Sequence, residues 1–220
     1  MNRVLRFYKA AIGKKVVMGI TGLIGAGFVI GHMAGNLLMF RGPDAINAYS
    51  HFLKSTGELL WIVRLLLIGS VILHVIAAVQ LTLQNRAARP IGYVERKPQV
   101  TTLASRTMRW GGALLLIFIV FHILHFTVGT IRPAGVFSDV DVYGNIVESF
   151  RIWWVALFYV VSMIALGLHL YHGAWSSVRS LGFAQPSENP LHRRIALAVA
   201  VIVWLGFTAI PVAVFAGLIG

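Results

Sequence analysis

Four histidines, His32, His74, His122 and His169, lie deep inside four different apolar stretches of this chain. An ionisable side chain at such depth is expensive in hydrocarbon and marks a functional site by default. The depths match in pairs. Counted from the flanking basic residues at about 1.5 Å per helical residue, His32 stands about 25 Å from Lys15 and His122 about 20 Å from Arg109. His74 stands about 18 Å from Arg86, and His169 about 15 Å from Arg179. Imidazoles presented by two facing helices can hold one haem b from its two sides, so four predict two haems, His32 with His122 and His74 with His169. The bland alternative is that they hydrogen-bond between helices, as histidine does in membrane bundles. Two of the stretches carry a further candidate three residues on, His125 and His172, on a similar helix face. Only one per helix can be an axial ligand, which leaves the other to a haem propionate, a proton path or a packing hydrogen bond.

The elements that must position these rings follow from composition. Of 220 residues, 58% are apolar and 12% charged, and none is cysteine. That balance describes an integral membrane protein rather than a soluble domain, and it excludes disulfides, thiolate ligation and iron–sulfur clusters of the chain's own. Hydropathy predicts five spans, 16–40, 59–84, 110–131, 152–177 and 195–219, each roughly the 20 residues a bilayer demands. The apolar run that follows the basic N-terminus continues to Phe40, too long for a cleaved signal. The predicted fold is therefore an all-α bundle of five transmembrane helices enclosing two stacked haems, as a single membrane domain over 1–220. Turn signals separate the spans: Arg41-Gly-Pro-Asp44, Arg89-Pro90 and Lys97-Pro98, Arg132-Pro133, Gln185-Pro186 and Asn189-Pro190. Pro211 predicts a kink in the last helix.

Charge orients the bundle. The net charge is +12, and lysine and arginine accumulate on cytoplasmic connections. The N-terminal segment carries Arg3, Arg6, Lys9, Lys14 and Lys15; the second connection Arg86, Arg89, Arg96, Lys97, Arg106 and Arg109; the fourth Arg179, Arg193 and Arg194. The first connection balances Arg41 and Lys54 against Asp44 and Glu58, and the third balances Arg132 and Arg151 against Asp139, Asp141 and Glu148. The N-terminus is thus expected in the cytoplasm and Gly220 outside. The His74/His169 level is then the inner one. The basic surplus suits anionic lipid or an acidic partner; with no soluble domain to carry it, it does not read as a nucleic-acid surface.

Several segments together resemble a known family. Gly31-His32-Met-Ala-Gly35-Asn36, Asn47-Ala-Tyr49-Ser-His51-Phe-Leu-Lys54, Ala104-Ser105-Arg106-Thr-Met-Arg109-Trp110, Phe121-His122-Ile-Leu-His125-Phe126 and Leu168-His169-Leu-Tyr-His172-Gly173-Ala-Trp175 stand in an order and spacing that extend over nearly the whole chain. They resemble the cytochrome b membrane anchor of succinate:quinone oxidoreductases, in its single-chain, five-helix, two-haem form. The resemblance implies His32, His74, His122 and His169 as the metal ligands. It prefers His169 over His172 because the family ligand stands four residues before a glycine, here Gly173, and it favours His122 over His125. It also implies a flavoprotein subunit and an iron–sulfur subunit docked on the cytoplasmic face of a bacterial inner membrane. Succinate would be oxidised on the flavoprotein, and electrons would reach a membrane quinone, menaquinone in many two-haem members, by way of the inner and then the outer haem.

Further residues acquire expected roles on this basis. Arg64, too deep in its span to be casual, is expected to clamp an outer-haem propionate or to pair with Glu58. Ser105, Arg106 and Arg109 suit the inner haem, or else lipid headgroups. Asn47, Tyr49, His51 and Lys54 are candidates for a quinone site. Gly22, Gly25, Gly27, Gly31 and Gly35 read as close-packing positions, Gly31 and Gly35 also as clearance for a flat porphyrin. Some fumarate-reducing members carry a glutamate where this chain has Gly167, which favours succinate oxidation as the working direction. Two rival functions remain: a two-haem anchor of a hydrogenase or formate dehydrogenase, and a haem-free transporter or assembly factor. The paired Gly/Pro interruptions of transporter half-helices are not evident.

Overall fold

The computed structural model describes residues 3–88, 102–183 and 190–220. The described residues are helical with no strand, and five helices are long and apolar enough to cross a membrane. The chain is a multi-pass membrane protein. In order, the helices are α1 (Arg3–Lys9), α2 (Ala11–Asn36), α3 (Pro43–Ser55), α4 (Glu58–Ala87), α5 (Leu103–His122), α6 (Val142–Phe150), α7 (Trp153–Ser180) and α8 (Pro190–Phe215). A 3₁₀ turn, Leu37–Arg41, extends α2, and a π turn, Ile123–Thr127, extends α5. The spans are α2, α4, α5, α7 and α8.

Their outer surfaces are what lipid requires. Trp61, Leu65, Trp110, Ile117, Trp153 and Ile202 are all exposed, an apolar shell that a water-soluble protein of this size would not carry. Trp61, Trp153 and Trp110 stand near span ends, where amphipathic rings suit the headgroup boundary. Inside, α2 packs against α4, α7 and α8, and α7 packs against α5 and α8. The close-packed row is therefore α4–α2–α7–α5, with α8 closing one side. Glycine makes room between α7 and α8: a Cβ at Gly167 would stand 3.2 Å from Trp204 Cβ, so a larger residue there requires α8 to give by a few tenths of an ångström.

Several boundaries differ from the hydropathy reading. The third span begins at Leu103, because the Thr102 hydroxyl accepts from Ser105 N–H and caps the helix. The fifth ends at Phe215, before Gly217 at φ +69° turns the chain. Arg41-Gly-Pro-Asp44 is a helix start: Gly42 takes φ +92°, a conformation open to glycine, and Pro43 occupies the first turn of α3. Asn47–Lys54, in the connection between the first two predicted spans, is thus helical. Of the glycines expected to be close-packed, Gly22 and Gly35 are, whereas Gly25, Gly27 and Gly31 have no neighbour within 4 Å of where a Cβ would stand. Arg89, Pro90, Arg96, Lys97, Pro98, Gln185, Pro186 and Asn189 lie outside the described residues.

The two ends of the bundle are built differently. At the end that carries Arg86, Arg109, Arg179, Arg193 and Arg194, here the basic end, α1 folds back at an elbow. Buried Lys14 donates from Nζ to Lys9 O at 2.8 Å and Tyr8 O at 3.2 Å, satisfying carbonyls that end α1. Tyr8 also donates to Gln80 Oε1 of α4 at 3.0 Å. At the opposite end α3 and α6 pack together. Asn47 joins them, donating to Asp141 Oδ1 at 3.1 Å and accepting from Tyr143 N–H at 3.0 Å. A core of Met39, Ile46, Ile146, Phe150, Val155 and Tyr159 lies beneath.

Candidate functional site

The four histidines meet as two pairs. The rings of His32 on α2 and His122 on α5 have centroids 5.8 Å apart, and those of His74 on α4 and His169 on α7 lie 6.1 Å apart. In both cases the helices that supply a pair are not neighbours in the close-packed row, so the rings reach across from helices that pack mainly against others. The levels are distinct: Thr21, which touches His74, is about 16 Å along α2 from His32 at 1.5 Å per residue.

Three of the four rings are held from behind. His74 Nδ1 lies 3.1 Å from Thr21 Oγ1. The one hydroxyl hydrogen of Thr21 is directed to Val17 O at 2.7 Å, so its oxygen accepts from His74 Nδ1–H. His74 therefore presents the lone pair of Nε2. Phe28 stacks on His32 at 5.2 Å and Phe118 on His122 at 5.6 Å. Asn36 donates to His32 O at 2.7 Å and lies 3.3 Å from its Nδ1. His169 Nδ1 is buried without a hydrogen-bond partner.

The second histidine of each helix goes elsewhere. His125 is 3% exposed, with both ring nitrogens engaged, Nδ1 at 3.1 Å from Tyr159 Oη and Nε2 at 2.9 Å from Ser149 Oγ. His122 and His125 both reach Tyr159 Oη but differ beyond it, His122 facing His32 and His125 facing Ser149. His125 falls in the π turn, closed by Val128 N–H to Ile123 O, and a wider turn rotates less per residue than an α turn. His172 contacts Trp175 edge-on at 5.9 Å rather than His74.

These donor sets can be weighed against metal chemistry. Among the described residues no three of His, Cys, Asp or Glu gather where they could hold a bare ion. Two facing imidazoles suit a metal that brings its own equatorial ligands, as haem iron does. With metal–nitrogen bonds of about 2 Å and about 1 Å more to each ring centre, rings on opposite sides of one iron would stand about 6 Å apart. The measured separations of 5.8 and 6.1 Å agree with that figure. Glycines stand against both rings of the His74/His169 level: a Cβ on Gly22 would come within 3.4 Å of His74 Cε1 and one on Gly112 within 3.9 Å of His169 Cε1. A cavity of about 290 Å³ between α5 and α7 reaches His169, lined by Gly111, Leu114, Ala165 and Leu168 among others. In donor type and spacing the residues fit haem iron.

The remaining candidates are dispersed. Arg64 lays its guanidinium over Trp61 at 5.1 Å, on its own helix, and forms no ion pair with Glu58 among the described residues. Ser105 Oγ is turned back to Thr102 O at 2.8 Å, in the cap of α5. Arg109 shares with Thr82, Asn85 and Arg86 a polar cavity of about 290 Å³ at the basic end; Arg106, nearby in sequence, is also exposed. Asn47 and Lys54 are tied to the 139–143 segment, Lys54 through Asp139 O. Tyr49 turns toward Gly35 of α2 and His51 is exposed, so the four quinone candidates do not converge on one cavity.

No protein-family model matches the chain, and neither a curated protein nor a solved structure does.

Sequence reasoning missed Thr21, Tyr159 and Ser149. Each is a hydroxyl inside or beside an apolar stretch, and buried hydroxyls need partners; that was the available signal.

Proposed function

We infer that this chain is a dihaem cytochrome b of the succinate:quinone oxidoreductase type, an electron-transfer membrane anchor. His32 with His122 and His74 with His169 would each hold one haem b, which when bound supplies a reversible one-electron couple. The observation that carries the reading is that four histidines from four spans face one another in two pairs, at a spacing that suits an iron between them. The protein's own contribution is to fix the imidazoles. Thr21 sets the tautomer of His74, phenylalanines clamp His32 and His122, and the surrounding apolar spans exclude water from both levels.

The basic end is the docking face in this reading, for a flavoprotein and an iron–sulfur subunit on the cytoplasmic side of a bacterial membrane. The concentration of Arg86, Arg109, Arg179, Arg193 and Arg194 there supports the orientation by the positive-inside rule. The electron acceptor would be a membrane quinone, menaquinone by the resemblance.

The test is a reduced-minus-oxidised absorption spectrum of the purified chain with its co-purifying subunits, joined to an assay of haem per chain. Two b-type haems and a flavin in the same sample are expected. Two haems with a nickel or molybdenum partner would move the chain to a hydrogenase or formate dehydrogenase. No haem in folded, membrane-inserted protein would overturn the reading.

A further inference from the structure

Behind His122 runs a file of hydrogen-bonding groups that the haem reading does not require. His122 Nδ1 lies 3.4 Å from Tyr159 Oη, Tyr159 Oη lies 3.1 Å from His125 Nδ1, and His125 Nε2 lies 2.9 Å from Ser149 Oγ. Tyr159, His125 and Ser149 are all buried, at 6%, 3% and 5% exposure. Three elements supply them: α7 gives Tyr159, the π turn gives His125, and α6 gives Ser149. We propose that Tyr159 is a positioning residue for His122, its hydroxyl fixing which ring nitrogen carries the proton, with His125 and Ser149 anchoring that hydroxyl from the far side.

The proposal rests on the reading of His122 as an axial ligand, and hydrogen counting supports it. A ligand presents the lone pair of one ring nitrogen, which leaves the proton on the other. With Nε2 toward the metal, His122 Nδ1–H donates to Tyr159 Oη. The tyrosine has one hydrogen, and it goes to His125 Nδ1. That makes His125 the Nε2–H tautomer, whose proton goes to Ser149 Oγ. From His122 to Ser149 Oγ each donor then meets one acceptor, and the file runs in one direction only. The π turn is part of the device, since it brings His125 to Tyr159 and away from the His32 ring.

A hydrogen bond accepted from Nδ1–H raises the basicity of a ligating imidazole, which favours the oxidised metal. Removing it therefore raises the midpoint potential of that haem alone. Bonds in a file reinforce one another, so loss of His125 acts in the same direction and more weakly. In the full chain with its co-purifying subunits, Tyr159→Phe retains the ring packing and should retain two haems. One of the two midpoint potentials should rise, together with a changed low-spin ferric signal from the same haem. His125→Leu should show a smaller rise. His125→Gln, whose amide can accept from Tyr159 and donate to Ser149, should restore the wild-type value. Two bound haems with neither potential nor signal altered in Tyr159→Phe would overturn the role. If Tyr159→Phe fails to fold, equal potentials in His125→Leu and His125→Gln would overturn it instead. Wild-type chain without haem would overturn the ligand reading itself, a result that no variant could mimic.

Discussion

Thr21 Oγ1 accepts a hydrogen bond from His74 Nδ1 at 3.1 Å while giving its own hydrogen to Val17 O at 2.7 Å. One side chain on α2 thereby fixes the proton on a ring carried by α4, and with it the nitrogen that keeps a free lone pair. Thr21→Val keeps the shape of the residue and deletes the acceptor. The expected result is a raised potential for the haem of this level and an unmoved potential for the other, read by redox titration. Leaving Nδ1–H unpaired should also cost about 1–3 kcal/mol. Thr21→Ser should behave as wild type.

The two pairs predict a spectral sorting of single substitutions. His32→Ala and His122→Ala should each lose the same haem, and His74→Ala and His169→Ala the other, measured as haem per chain and by the surviving absorption band. His125→Gln and His172→Gln should keep two. A His125 variant that loses a haem while His122→Ala keeps both would reverse the assignment within α5.

Lys14 offers a test unconnected with the histidines. Its ammonium bridges Lys9 O and Tyr8 O in a buried elbow, so Lys14→Met removes both bonds while the longer one from Gln84 Nε2 to Lys9 O at 3.4 Å stays. A loss of about 1–3 kcal/mol is expected, seen as a lower thermal midpoint of the detergent-solubilised protein, with haem content intact at the temperature of purification. Gly13→Ala should act in the same direction, because a Cβ there would run into the Phe7 carbonyl.

At the other end, Asn47→Ala removes both bonds that link α3 to the start of α6. About 1 kcal/mol per bond is expected. Faster hydrogen exchange confined to 43–55 and 138–150, with two haems retained, is the outcome to look for.

The spans were legible because hydropathy over 20 residues is a strong signal and because lipid leaves few alternatives to helix. The depth pairing was legible for the same reason: a helix converts residue count into height. What could not be read was rotation. His122 and His125 seem equivalent at a spacing of three until the π turn separates them, and a π turn has no signature in composition. The short helices α3 and α6 were missed because 13 and 9 residues of mixed polarity look like connection. Lys14 counted as one more topology charge, although its side chain is the internal clasp of an elbow. Thr21 and Tyr159 belong to helices other than those of the rings they touch, and a contact between spans is visible only once the packing row is known.

The π turn at Ile123–Thr127 can also be seen as bookkeeping in register: it is the trace that one extra residue leaves in a helix. Removing one residue of that turn would return the stretch to α spacing, with Val128 N–H bonding a carbonyl four residues back instead of five, and would leave everything after it in register. The insertion is thus confined to the relative rotation of His122 and His125. The two histidines of this helix are accordingly not spare copies of one another: they meet at Tyr159, and beyond it one faces the ring of His32 and the other the hydroxyl of Ser149.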